Sequence, residues 1–185
     1  MLVLLLGPSG VGKTSIIHVL AETCGWSVVP SYITRPQRDD ERYKRTLSQQ
    51  DYQNRLENNQ FFTHVEQFQY MYGTLKADIE LAQSSDDVWV LDFDVYAYKE
   101  SFIGVEHLAF VVLPESEEQL KAQLLETGRA DRLVGAIQLL SLIQNSASLE
   151  ALGLGAAAKI INCSNRLGDL AATLIEAIGD ALRRR

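Results

Sequence analysis

The stretch Gly7-Pro8-Ser9-Gly10-Val11-Gly12-Lys13-Thr14 reads G-x-x-x-x-G-K-[ST], the phosphate-binding P-loop. Ahead of it, Leu2-Val3-Leu4-Leu5-Leu6 is an unbroken apolar run, suited to a strand buried on both faces. Behind it, Ile16, Ile17, Val19 and Leu20 recur at helical spacing. Strand, glycine loop and helix in that order are the context the motif requires. Glycines at 7, 10 and 12 let backbone N–H groups turn inward around a phosphate, with no Cβ in the way. The start of the helix adds unpaired donors and a partial positive charge. Lys13 is spaced to reach the β- and γ-phosphates of a nucleoside triphosphate, and the Thr14 hydroxyl to ligate Mg²⁺.

Composition bounds the rest. A chain of 185 residues is long enough for one well-buried core, and 46% hydrophobic with 22% charged residues is ordinary for a globular domain. The net charge of −7 argues against a broad nucleic-acid surface. No apolar run approaches the roughly 20 residues of a membrane span. The first residues lack the basic start of a signal peptide. Cys24 and Cys163 stand in no metal-ligand spacing and read as reduced thiols of a cytoplasmic protein.

Strands are expected at 2–6, 26–30, 88–91, 107–113 and 159–163, separated by helices at 75–84, from 116, at 133–144 and at 165–182. Alternating strands and helices predict a parallel sheet with right-handed crossovers. Residues 31–74 break the pattern and read as an inserted subdomain. It holds a helix capped by Ser48 and two β-rich runs at 61–65 and 68–72. Thr74 is a candidate N-cap for the next helix. Arg35 and Arg38, three apart in a proline-containing loop, suit a phosphate grip, the alternative being a solvated basic loop. Asp92 and Asp94 follow a buried strand. There a carboxylate is expected on the Mg²⁺ side, although either could instead cap the next helix. The pair Tyr70 and Tyr72 reads first as packing.

Together these segments resemble the guanylate kinase family over nearly the whole chain. The loop 7–14, the segment from Ser31 through Arg38, Tyr72-Gly73-Thr74 and Leu91-Asp92-Phe93-Asp94-Val95 are each similar to that family's motifs, in the same order. The resemblance implies a P-loop kinase core with a five-stranded parallel sheet flanked by helices. The single domain 1–185 would comprise a core (1–30, 75–126 and 133–185), an acceptor-binding insert (31–74) and a short lid (127–132). It implies ATP at Gly7, Pro8, Ser9, Gly10, Val11, Gly12, Lys13, Thr14 and Asn162. Ser31, Arg35, Arg38, Tyr43, Tyr72, Thr74 and Asp94 would hold the acceptor. Mg²⁺ would sit at Thr14 and Asp92, and Lys13, Arg129 and Arg132 would be catalytic.

The implied reaction is phosphoryl transfer from ATP to a nucleoside monophosphate, GMP foremost, by a cytoplasmic monomer or homodimer without nucleic-acid or membrane partners. Three departures qualify it. Thr63 stands where the family has a guanine-reading glutamate, and Glu66, three residues on, faces the other way unless a bulge intervenes. The family's insert tyrosine falls on Lys44, one place from Tyr43, and the lid is short, with only Arg129 and Arg132. Ribose 1,5-bisphosphate phosphokinase, a relative with the same core, and a non-catalytic guanylate-kinase-like binding module are the alternatives. The intact Lys13 and Thr14 argue for activity.

Overall fold

The computed structural model describes residues 1–38, 41–67, 69–155, 157–162 and 167–183, with side chains for all of these except 158–162, 167–170 and 181–183. The apolar run after Met1 forms β1 (Leu2–Leu6), every side chain of it buried. It is the middle strand of a sheet ordered β2 (Ser27–Val28), β7 (Trp89–Asp92), β1, β8 (His107–Pro114), β9 (Ala158–Asn162). All of its pairings are parallel. Such a sheet needs cover on both faces, which is why β1 does not alternate apolar with polar. Leu2, Leu4 and Leu6 enter one apolar cluster with Ile79, Val95, Leu139 and Ile143. These come from α3 (Lys76–Ser84), α4 (Val95–Ser101) and α6 (Leu133–Gln144). Val3 and Leu5 enter the opposite cluster with Ile16, Leu20, Leu174 and Ile178, from α1 (Lys13–Cys24) and α8 (Leu167–Arg183).

The segment after β2 leaves this sheet and builds a second one, ordered β4 (Lys44–Thr46), β3 (Ser31–Ile33), β6 (Tyr70–Leu75), β5 (Phe61–Gln67). The Ser48 hydroxyl caps α2 (Gln49–Glu57) by accepting from the Asp51 N–H, as its position before the helical pattern predicts. Tyr52 of α2 stacks on Phe61, with ring centroids 4.4 Å apart, and ties the helix to the sheet. The two β-rich runs pair as an antiparallel hairpin whose register shifts between Phe61 and Thr63.

One local expectation is corrected, and two elements form where no pattern in the sequence marked them. Thr74 is not a helix cap: it is a buried residue of β6, and α3 starts after Leu75 without a side-chain cap. The stretch 146–157, short of apolar periodicity, still forms α7 (Ser146–Ala151), capped by Asn145, which buries Leu149. The edge strand β4 carries no period-2 signal, because its Lys-Arg-Thr sequence faces solvent on much of its surface.

At the end of β1 the chain turns into the glycine loop. Gly7 has φ +137° and passes so close to β8 that a Cβ there would lie 2.3 Å from the carbonyl oxygen of Val112. Gly7→Ala would therefore meet both backbone strain and backbone overlap, together about 2–4 kcal/mol. The expected outcome is a Tm lower by roughly 5–15 °C in thermal unfolding; a Tm at the wild-type value would disprove the close approach.

Candidate active site

The carboxyl ends of β1 and β7 face the second sheet across a cleft of about 430 Å³. On the loop side it is lined by Gly7, Ser9 and Lys13, and at the end of β7 by Asp92 and Asp94. From the second sheet come Ser31, Lys44, Thr63, Tyr72 and Thr74, and from the segment before α6 comes Arg132. The remaining loop residues serve the loop's form. Pro8 and Val11 are buried, Gly10 and Gly12 take φ of 88° and 89°, and Thr14 is half-buried in the first turn of α1.

Lys13 curls back over the loop, its ammonium donating to the carbonyls of Gly7 (2.8 Å) and Pro8 (3.0 Å). It lies 3.7 Å from Asp92 Oδ1. Burial lowers its pKa; Asp92 works against that, and the nearby Lys44 adds to it. Thr14 and Asp92 also share a smaller pocket beside the cleft. A hydroxyl and one carboxylate are hard oxygen donors. They fit Mg²⁺, which keeps several waters and takes its other ligands from phosphate. Among the described residues no group of three or more His, Cys, Asp or Glu forms a fuller metal cage.

Capping and cleft lining are combined in Asp94. Its Oδ1 accepts from the N–H groups of Tyr96 (2.9 Å) and Ala97 (3.0 Å), capping α4. Its Oδ2 accepts from Gln67 Nε2 at 3.0 Å, a contact between core and second sheet.

Arg35 is buried, and it does not line the cleft. Its Nη1 and Nη2 donate to Glu41 Oε2 and Oε1, each at 2.6 Å, in a two-pronged pair. Its Nε donates to the Tyr72 hydroxyl at 3.2 Å. Arg38 stands outside the cleft lining, with Nη1 4.0 Å from Glu41 Oε1. Tyr43 is turned away: its ring packs edge-on against His18, centroids 5.3 Å apart, and its neighbour Lys44 takes the cleft side. Tyr43 closes the turn before β4 and Lys44 opens the strand, so a one-place register shift exchanges tyrosine for lysine on the cleft side. Arg132 Nη1 donates to Ser9 Oγ at 3.4 Å. Arg129 Nε instead donates to Thr127 Oγ1 at 2.9 Å, and Arg129 does not line the cleft. Asn162 ends β9 beside Pro114, and its side chain lies outside the described residues.

A family model described as "Guanylate kinase" matches residues 1–149. The guanylate kinase of Mycoplasmopsis pulmonis (strain UAB CTIP) is 31% identical over an alignment of 138 residues that covers 69% of this chain and 70% of that protein. The chain belongs to the guanylate kinase family. The crystal structure of guanylate kinase from Anaplasma phagocytophilum superposes with a TM-score of 0.64 at 18% identity, covering 100% of this chain and 85% of that one. A shikimate kinase from Acinetobacter baumannii shares the fold at a TM-score of 0.54 and 12% identity, covering 97% and 93%.

Within this guanylate kinase fold the departures take physical form. The register shift in β5 lies before Thr63, so Thr63, Val65 and Gln67 alternate onto the cleft face, and Glu66 does not line the cleft. Lys44, Gln67 and Glu41 were not singled out as site residues from sequence. Gln67 was within reach of the period-2 rule counted from Thr63. Nothing in the sequence marked Glu41 as the carboxylate on which Arg35 and Lys44 converge.

Burial by itself would push the Glu41 carboxyl up, but the Arg35 hydrogen bonds and Lys44 outweigh it and hold it at about 2, against an ordinary 4.5. A depressed carboxylate stabilises the fold above its unfolded pKa, and that contribution, on the order of 3 kcal/mol, is lost as pH falls from 4.5 through about 2. Glu41→Gln leaves Arg35 buried without its counter-charge and is expected to cost about 3–5 kcal/mol. Urea unfolding at pH 7 and pH 3 checks both statements. The wild type should lose stability between the two, and the variant should lose less.

Proposed function

We infer that the chain transfers the terminal phosphoryl group of ATP to GMP, giving ADP and GDP. The observation that carries this reading is the cleft between an intact P-loop and a polar wall from the second sheet, in a chain of the guanylate kinase family. On this reading Gly7 through Thr14 hold the polyphosphate of ATP, with Asn162 toward the adenine. Residues 31–74 form the acceptor-binding insert, in which Ser31 and Tyr72 serve the acceptor's phosphate. Arg35 acts there through Tyr72, and Arg38 from the rim. Thr74 and Asp94 face the base: a hydroxyl donates to a carbonyl oxygen, and a carboxylate accepts from ring and amino N–H groups. Residues 127–132 form the lid, with Arg132 reaching the loop.

The acceptor's phosphate is itself a nucleophile near neutral pH, so the chemistry asks for positioning and charge stabilisation rather than a strong base. Lys13 and Arg132 provide cations at the phosphoryl group in transit. Thr14 and Asp92 would hold Mg²⁺, which neutralises charge on the phosphate oxygens. The location is read as cytoplasmic, as monomer or homodimer. Among the described residues no helix is long and apolar enough to cross a membrane.

A second reading, a kinase of another small phosphorylated acceptor such as ribose 1,5-bisphosphate, is favoured by one observation: the β5 face of the cleft presents Thr63, Val65 and Gln67 and no carboxylate. A coupled ADP-release assay with GMP, AMP and ribose 1,5-bisphosphate separates the two. GMP is expected to be preferred, and turnover of the bisphosphate alone would replace the first reading with the second.

Lys13→Ala should lower kcat by about 10²–10³ while leaving the circular dichroism spectrum unchanged; near wild-type turnover would end the assignment of the ATP site. Thr63→Glu restores a carboxylate on the cleft face and is expected to raise the GMP:AMP ratio of kcat/KM by roughly 10- to 150-fold, the worth of one charged hydrogen bond. An unchanged ratio would place the base away from β5.

A further inference from the structure

We propose that Lys44 is a phosphate-binding residue of the cleft, holding the acceptor's phosphate group beside the phosphoryl group in transit; the proposal rests on the phosphotransferase reading above. Lys44 opens the edge strand β4 and is in register with Ser31, another cleft residue. Its side chain is only 19% exposed. It lines both the cleft and the smaller pocket that contains Thr14 and Asp92. It therefore stands where the second sheet meets the loop side, close enough to Lys13 to add to the lowering that burial imposes on the Lys13 pKa.

Its nearest carboxylate among the described residues is a shared one. Its ammonium lies 3.1 Å from Glu41 Oε1, but both Glu41 oxygens already accept from Arg35. Arg38 approaches the same carboxylate at 4.0 Å. Among the described residues Glu41 thus faces three cations, of which Lys44 is the one that lines the cleft. An ammonium that shares its carboxylate with Arg35 keeps donors for an anionic ligand in the cleft. A phosphate monoester dianion has the required charge, and an ammonium with three rotatable donors binds it as a point charge without a planar fork. Of the two lid arginines, Arg132 lines the cleft and Arg129 does not. Lys44 places a cation on the opposite wall.

The test uses the full chain and compares Lys44→Met, Lys44→Gln and Lys44→Arg. GMP and inorganic tripolyphosphate are titrated by calorimetry, and KM and kcat are measured with GMP and ATP. Lys44→Met and Lys44→Gln should each weaken GMP binding by roughly 10- to 150-fold and leave tripolyphosphate, which probes the ATP phosphates, near the wild-type affinity. They should also raise the KM for GMP and lower kcat, with the KM for ATP near the wild-type value. Lys44→Arg should recover most of the loss. A lysine serving only as counter-ion to Glu41 makes a different forecast: Lys44→Gln, which still donates a hydrogen bond to Glu41, would then behave like wild type, and that result overturns the proposal. Wild-type binding of GMP by Lys44→Met also overturns it, as does an equal loss of affinity for GMP and tripolyphosphate. If the wild type does not phosphorylate GMP, the functional reading falls, and a titration with inorganic phosphate, weakened in Lys44→Met and recovered in Lys44→Arg, decides Lys44.

Discussion

At Gly7 the loop backbone passes so close to β8 that one methyl group would overlap the carbonyl oxygen of Val112. That contact fixes the loop relative to the sheet, and the site is built outward from it. The positive φ values at Gly7, Gly10 and Gly12 then bend the chain so that α1 begins at Lys13, its N-terminus at the mouth of β1. Because β1 is the middle strand and is buried on both faces, the loop inherits the rigidity of the whole core. The carboxylates at the end of β7 share this frame, since β7 pairs directly with β1, Leu5 opposite Asp92.

The second sheet faces a different problem, how to keep cations near a cleft without letting them repel one another. Glu41 resolves much of it. Buried, and held well below the ordinary carboxylate range, it takes both prongs of Arg35 and the ammonium of Lys44. Arg35 in turn donates to the Tyr72 hydroxyl, so a residue outside the cleft orients one inside it. A buried pair of this kind adds little net stability compared with apolar packing. Its value lies in orientation, because removing either member strands a buried charge.

How far the sequence could be read depended on the kind of information each residue carried. The P-loop, the five strands of the main sheet and α6 rest on local pattern: glycine spacing, apolar runs and helical periodicity. They lie where those patterns place them. Thr74 failed as a cap because its hydroxyl-bearing side chain is equally at home in a buried strand, and local chemistry does not choose between the two. Tyr43 and Lys44 depended on which of two adjacent residues turns inward, a choice made by the packing of Tyr43 on His18 rather than by either residue's own preference. Asp94 was legible as either cap or cleft residue; its two oxygens divide the tasks. Glu41 was illegible, since a glutamate among charged neighbours reads as solvated until the fold buries it.

On the proposed function, the distribution of cations constrains how the reaction can proceed. Lys13 belongs to the core, Arg132 to the segment before α6, and Lys44 to the second sheet. No single element carries all three, so full stabilisation of the phosphoryl group in transit requires the elements to converge on it. A site assembled from separate walls is most effective when closed, and closure also removes water that would otherwise accept the phosphoryl group. Placing one cation on the acceptor-binding sheet couples the two requirements: the acceptor's phosphate, by drawing Lys44 inward, would help complete the charge needed for its own phosphorylation. Hydrolysis of ATP in the acceptor's absence would then lack that cation, and a short lid with one arginine in the cleft would serve a site whose remaining charge arrives from the other side.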